Sequence, residues 1–144
     1  MTQPIKAWVA PSARDFTRDY MMAQLAARGY DPIPWYSGIP AQRPAKFFTI
    51  EELNTTDEYG VIAEAQLIQI RGYITDRKRL GEAMRLIKAL WKVMPAADQP
   101  DGTGAHWVQD VEHAGGVSYD EDPDVPGLYY GQVIAWVTVM TELM

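Results

Sequence analysis

Apolar residues recur at helical spacing in two segments of the chain. In the first segment they recur every three or four positions from Phe16 to Ala27. Ser12 is suited to cap the start of this segment and Gly29 to end it. The pattern therefore predicts a helix over Ala13–Arg28.

The second helical segment follows Asp76, which is suited to an N-cap, and continues to about Val93, shortly before Pro95. Its apolar stripe consists of Leu80, Ala83, Met84, Ile87, Leu90, Trp91 and Met94. Its basic residues occupy the opposite face and are Lys78, Arg85, Lys88 and Lys92. This pattern predicts a helix that packs its stripe on the core and presents positive charge outward.

Five segments have the composition or the alternation of strands. They are Trp35–Tyr36, Lys46–Leu53, Ala63–Tyr73, His106–His113 and Leu128–Thr141. The order of one helix, three strands, one helix and two strands predicts an α+β fold. We expect a mixed or antiparallel sheet of four to five strands, with both helices packed on one face.

The final strand is apolar on both of its faces. Val133, Ala135, Val137 and Val139 alternate with Ile134, Trp136 and Met140. A strand of this kind is buried on both sides. One side is expected to meet the helices, and a partner subunit is the natural cover for the other.

The length of 144 residues predicts a single domain over 1–144, with an N-terminal arm over 1–12 and an acidic loop over 117–127. The chain has no cysteine, which excludes disulfides, thiolate metal sites and cysteine nucleophiles. No apolar run approaches the roughly 18 residues that span a bilayer, so we expect no membrane partner. Without a signal peptide at the start, the expected site of synthesis and assembly is the cytoplasm.

Charge is distributed unevenly along the chain, whose net charge is −6. All 13 Lys and Arg residues lie within 1–92, together with 10 of the acidic residues. The remaining nine acidic residues lie within 93–144, which has no Lys or Arg. This asymmetry favours electrostatic docking, although a solvated acidic loop would give the same composition.

The chain has no combination of residues that predicts catalysis or a cofactor. It contains no G-x-S-x-G motif. His106 and His113, seven residues apart on one strand, would point to opposite faces and so would not share a metal. The acidic run Asp120–Asp124 lacks the spacing of a calcium loop. We therefore predict no enzyme activity, no cofactor and no metal site.

Four segments of the chain form a recognisable series: the helix Phe16–Arg28, the proline-then-aromatic strand Arg43–Ile50, the strand Gln66–Tyr73 leading into the helix Leu80–Trp91, and the acidic run Asp120–Pro126 before the final strand. In this order they resemble the tail terminator proteins of long-tailed phages, which cap the tail tube and join it to the head-side connector. The final strand departs from the pattern, because Leu128-Tyr129-Tyr130 stands where an Arg or Lys is expected nearby.

The resemblance implies a structural virion protein of the tail or neck, assembled in the host cytoplasm as a homo-hexameric ring. Its partners would be the tail tube protein and the head–tail connector or stopper. Genomic DNA would pass through the lumen without sequence-specific binding. A head–tail stopper or adaptor, or a nucleic-acid-binding module that uses the basic face of the second helix, are the alternatives.

A ring of identical subunits needs two different patches that meet. The candidate contact residues are basic on one side and acidic on the other: Lys78, Arg85 and Lys88, and Asp120, Glu121, Asp122 and Asp124. We expect the acidic segment or the final strand to meet a basic surface of a neighbouring copy or of the tube. In the alternative arrangement, the acidic segment lines the lumen and keeps DNA from adhering.

Overall fold

The computed structural model describes residues 2–56, 62–96 and 108–144. The helices are α1 (Ala13–Ala27) and α2 (Arg77–Lys92), and a short 3-10 helix follows at Met94–Ala96. The strands are β1 (Trp8–Val9), β2 (Trp35–Tyr36), β3 (Lys46–Thr56), β4 (Ala63–Ile74), β5 (Val108–His113), β6 (Ser118–Glu121), β7 (Tyr129–Met140) and β8 (Glu142–Leu143). The predicted α+β fold with two helices and a mixed sheet is confirmed.

Six strands form the main sheet, one more than the upper end of the prediction. The order is β2-β3-β4-β7-β5, and only the β2–β3 pair in this sheet is parallel. The additional strand is β6, which pairs with Tyr129–Gln132 of β7, while β5 pairs with Ala135–Val139 of the same edge. β5 and β6 thus form one interrupted edge strand.

Two predicted boundaries need correction. The segment 117–127 is not a loop throughout, because Ser118–Glu121 pairs with β7 through its backbone. The arm over 1–12 includes β1, which pairs antiparallel with β8 in a separate two-stranded ribbon. The start of the strand predicted over His106–His113 lies outside the described residues, and the described part begins at Val108.

Both helices cover one face of the main sheet, hereafter the helix face. Residues of β4 and β7 that point to this face alternate with residues that point away, as the pleat of a strand requires. The buried residues on the helix face include Ile50, Ile68, Ile70, Val133, Ala135, Val137 and Val139. The predicted burial of that side of the final strand is confirmed.

Polar contacts fix α1 to the rest of the core. The Ser12 hydroxyl accepts a hydrogen bond from the Asp15 N–H at 3.2 Å, as predicted for an N-cap. The buried Gln66 amide accepts from the Ala13 N–H and donates to the Pro11 carbonyl, both at 2.9 Å. One side chain of β4 thereby satisfies an N–H group that the start of a helix leaves unpaired, and also binds the carbonyl of the preceding segment.

A notch in the sheet receives α2. Asp76 caps this helix by accepting the Lys78 N–H at 3.0 Å, as predicted. Gly72 and Gly131 are register partners on the helix face, directly below Met84. A Cβ added at Gly131 would lie 2.5 Å from Met84 Cγ, and one at Gly72 would lie 2.7 Å from its Sδ. The two glycines therefore set how closely α2 approaches the sheet.

Candidate functional site

The second face of the main sheet, hereafter the open face, has no helix of the described chain packed on it. An aromatic column crosses one end of this face. The Phe47 and Tyr73 rings stack with centroids 4.5 Å apart, and Tyr73 and Tyr130 are 5.4 Å apart. The guanidinium of Arg71 lies 4.9 Å from the centroid of the Tyr130 ring. The side chains at this end of the open face therefore pack on one another in one continuous column.

Arg71 also joins the column to a polar cluster with two glutamines. Its Nε donates to Gln132 Oε1 at 3.0 Å, and the Gln69 amide lies 2.6 Å from the same oxygen. Burial raises the pKa of Tyr73, while Arg71 acts in the opposite direction. The cluster satisfies its own polar groups, so it is suited to a structural role.

The other end of the open face contains a trough of about 610 Å³. Its lining includes Ala65, Trp136 and Thr138 from the central strands, and Trp136 is half-buried. The register of β5 on β7 places Asp110 opposite Thr138 and Glu112 opposite Trp136, so both acidic residues belong to this face. Both are exposed, and neither forms an ion pair among the described residues. The trough therefore combines an aromatic surface with two unpaired carboxylates.

Five of the six basic residues of α2 form a single surface of the helix. At about 100° per residue these five fall within an arc of about 100° around the helix axis. This basic arc consists of Arg77, Lys78, Arg85, Lys88 and Lys92. Lys78, Arg85 and Lys92 are exposed and Lys88 is half-buried. None of the five forms an ion pair within the described residues, whereas Arg79, outside the arc, lies 3.9 Å from Asp76.

One member of the basic arc makes a defined aromatic contact. The Arg77 guanidinium lies 3.6 Å from the centroid of the Tyr129 ring, and this contact tethers the start of α2 to the start of β7. Arg85 lies close by, with Tyr119 of β6 beside it across Gly81. The arc therefore runs along the flank of α2 that faces β6.

Asp122 differs from the other predicted contact residues because it is used inside its own chain. The residue is only 3% exposed, and its carboxylate pairs with Arg43. It also accepts the N–H groups of Asp124 at 2.8 Å and Val125 at 3.2 Å. Burial raises the pKa of Asp122, but these N–H groups and the Arg43 guanidinium outweigh it and hold the pKa below its usual range. Asp122 thus links the acidic turn, residues 120–127, to Arg43 in the segment before β3.

The remaining acidic residues of this turn are exposed. Asp124 lies 3.5 Å from the same guanidinium, so it shares Arg43 with Asp122. Glu121 accepts the Gly127 N–H at 2.8 Å, and Asp120 is exposed at a position opposite Tyr130. The structure therefore brings the acidic residues together, but it does not bring them into ion pairs with the basic arc.

His113 is half-buried and pairs with Ala135, a residue of the helix face. Its Nε2 lies 3.2 Å from the Lys88 carbonyl, and its ring meets Trp91 edge-on at 5.6 Å. Burial lowers the pKa of His113. The hydrogen bond with the Lys88 carbonyl acts against this shift, and the positive charges of Lys88 and Lys92 act with it. His106 lies outside the described residues. Within the described chain no three acidic or histidine residues converge as a metal site would require, and no helix is long and apolar enough to cross a bilayer.

No protein-family model matches the sequence, and no curated protein matches it.

Sequence reasoning missed the residues that give the open face its character. Asp110 and Glu112 are separated by one residue, a spacing that places both on one face of a strand, so their pattern carried a usable signal. Arg43 carried no such signal, because its partner Asp122 lies 79 residues further along the chain.

Proposed function

We propose that the chain is a structural subunit of a tail terminator of the long-tailed phage type. In this role copies of the chain form a hexameric ring that caps the tail tube, ends its polymerisation and joins it to the head-side connector. The ring belongs to the tail or neck of the virion, assembles in the host cytoplasm and lets genomic DNA pass through its lumen. The role requires no catalysis and no cofactor.

The open face of the sheet is the observation that carries the proposal. Ile134 and Trp136 are half-buried there, and Met140 is 40% exposed at the end of the same strand. A two-layer domain buries the apolar face of its sheet against another element. Since no helix of the described chain covers this face, a neighbouring subunit is the cover that the proposal assigns to it.

Exposed apolar side chains of the β1–β8 ribbon add support. Trp8 is 50% exposed, Val9 44% and Leu143 47%. Large apolar side chains concentrated on a two-stranded ribbon are typical of surfaces that pack on another protein. A ring subunit needs two different contact surfaces, and the ribbon is a candidate beside the open face.

Imaging of the protein with purified tail tubes tests the proposal. A terminator binds one end of each tube and stops further growth when tube protein is added. Trp136→Glu, which places a charge on the open face, is expected to abolish capping, whereas Ile39→Glu, at an exposed apolar position elsewhere, is expected to leave it intact. Binding along the sides of tubes, or no binding at either end, would contradict the proposal.

A head–tail stopper or adaptor would use the same kind of ring on the head side of the neck. The tube experiment separates the two, because a stopper would bind filled capsids with their connectors and leave bare tubes uncapped. Incubation of the protein with both particles gives the comparison in one sample.

The basic arc favours a second candidate function, a nucleic-acid-binding module. Its five side chains have no acidic partner among the described residues, as phosphate-binding side chains require. Such a module would bind duplex DNA with an affinity that falls steeply as salt rises. A titration of DNA binding at several salt concentrations measures that slope, and a flat or absent response excludes this function.

A further inference from the structure

Opposite faces of the described domain carry opposite charge. The trough on the open face presents Asp110 and Glu112, both exposed and without ion-pair partners among the described residues. The basic arc lies on α2, which packs on the other face of the sheet. Each surface offers what the other lacks, yet the sheet separates them within one molecule.

We propose that the trough binds the basic arc of α2 from a second copy of this chain. The inference rests on the proposed ring function and specifies which surfaces meet in the ring. It differs from the contact expected from the sequence, because the acidic side is Asp110 and Glu112 on β5. The turn around Asp122 is instead fastened within its own chain.

The spacing of the charges supports this pairing. Lys88 and Lys92 are four residues apart on a helix, which separates them by about 6 Å along the axis. Asp110 and Glu112 are two residues apart on a strand, which separates them by about 6.8 Å. A helix laid along β5 therefore places one lysine opposite each carboxylate.

The apolar part of the trough also fits a lysine-bearing helix. Trp136 is half-buried and lies on the same face as the two carboxylates. Lysine side chains bury their aliphatic stems on apolar surface while their ammonium groups reach a charge at the rim.

The contact is head-to-tail, because the two surfaces that meet are different. A copy that donates its basic arc to one neighbour still has its trough free for another. Such a heterologous contact forms a ring when the rotation between neighbours closes, which agrees with the hexamer in the proposed function.

Charge reversal in the full-length chain tests the inference. One variant carries Lys88→Glu and Lys92→Glu, and a second carries Asp110→Lys and Glu112→Lys. Self-association is measured by sedimentation up to about 1 mM protein and at about 0.01 M salt, where the screening length is about 30 Å. Each variant alone is expected to associate at least tenfold more weakly than the wild type.

Restoration is the decisive part of this test. In a mixture of the two variants, the reversed arc of one can pair with the reversed trough of the other, so self-association is expected to return. A single chain that carries all four changes is also expected to self-associate. Lys6→Glu with Lys46→Glu, and Asp31→Lys with Glu52→Lys, make the same charge changes at exposed positions elsewhere and are expected to have no effect. Loss without restoration would overturn the inference.

Cross-linking detects the contact even when association is weak. The chain has no cysteine, so Lys92→Cys and Glu112→Cys can be introduced in separate chains without background. The mixture is expected to form disulfide-linked dimers far faster than Lys92→Cys mixed with Asp31→Cys. The inference is overturned if the wild type stays monomeric at about 1 mM and Lys92→Cys forms disulfides with Glu112→Cys no faster than with Asp31→Cys.

The outcomes for the contact and for the ring are distinguishable. If the charge-reversal variants still cap tail tubes but their mixture does not recover self-association, the contact is refuted and the terminator function is not. Restored association in a protein that ignores tubes refutes the terminator function and supports the contact. The inference is also overturned if charge reversal of the basic arc abolishes DNA binding but leaves self-association unchanged. In that case the basic arc binds phosphate groups of DNA.

Discussion

The pair formed by Arg43 and Asp122 yields a prediction whose size follows from the structure. We consider Arg43→Met, which keeps the length of the side chain and removes its charge. Among the described residues, the Asp122 carboxylate then keeps the N–H groups of Asp124 and Val125 as its partners. The change tests whether the guanidinium stabilises the fold or only lies near the carboxylate.

The expected magnitude lies between two known limits. Exposed ion pairs contribute about 0–1 kcal/mol, and removal of one partner of a fully buried pair costs about 3–5 kcal/mol. The Asp122 side chain is 1% exposed, but the Arg43 side chain is 21% exposed and so remains in contact with water. We therefore expect Arg43→Met to lower the free energy of unfolding by about 2 kcal/mol.

Urea denaturation of Arg43→Met, Asp122→Asn and the double variant at neutral pH measures the coupling between the two side chains. Asn keeps an oxygen that can accept the two N–H groups, so the cycle isolates the ion pair. A coupling energy of about 1–2 kcal/mol is expected. A value near zero would refute the reasoning and reduce the pair to a surface contact.

The pH dependence gives an independent check on the same pair. The pKa of Asp122 is held below its usual range in the folded protein, so its contribution to stability is fully present above the unfolded value of about 3.9. That contribution is lost as pH falls through the folded pKa. The difference in stability between wild type and Asp122→Asn is therefore expected to shrink below about pH 4. A difference that stays constant down to pH 2 would contradict the shift.

Three further predictions concern the core and are checked by the same denaturation assay. Gly131→Ala would place its Cβ against Met84, so we expect the free energy of unfolding to fall by about 1–3 kcal/mol. Gly131→Ala combined with Met84→Ala should cost less than the sum of the two single changes, because the smaller side chain makes room for the Cβ. Simple additivity would show that Gly131 and Met84 are not in contact. Gln66→Leu leaves a buried backbone N–H of α1 without a partner and is expected to cost about 1–3 kcal/mol, whereas Gln24→Leu, on the half-buried side of α1, should be near neutral. Tyr20→Phe removes the 2.6 Å hydrogen bond from α1 to the Leu90 carbonyl and is expected to cost about 1 kcal/mol, and an unchanged stability would show that this bond contributes nothing.

Local patterns predicted the helices well because their causes lie within a few residues. Ser12 and Asp76 cap α1 and α2 through contacts with backbone groups two or three positions away. The apolar stripe of α2 is buried because its residues share one side of the helix. Alternation likewise grouped Val133, Ala135, Val137 and Val139 on one side of the final strand, and the structure shows that this is the side that meets the helices.

Features that depend on distant parts of the chain were not predictable in the same way. β6 is exposed at all four positions of Ser118–Glu121, so no apolar pattern marks it, and only its pairing with β7 makes it a strand. The face to which Asp110 points depends on the irregular register between Val108 and Asp110, which the sequence does not reveal. The burial of Asp122 depends on how the chain returns to Arg43.

The interrupted edge beside β7 determines how the sheet can grow. β5 and β6 are separated by the residues around Gly115, whose φ of 102° turns the chain out of an extended path. The opposite edge is the two-residue strand β2, which follows Pro34 and precedes Pro40. Neither edge offers a long, flat row of unpaired backbone groups, so addition of further strands is disfavoured on both sides. Fibre-like growth by addition of strands from further copies is therefore disfavoured. The number of subunits in an assembly would instead be set by the angle at which the faces of neighbouring copies meet.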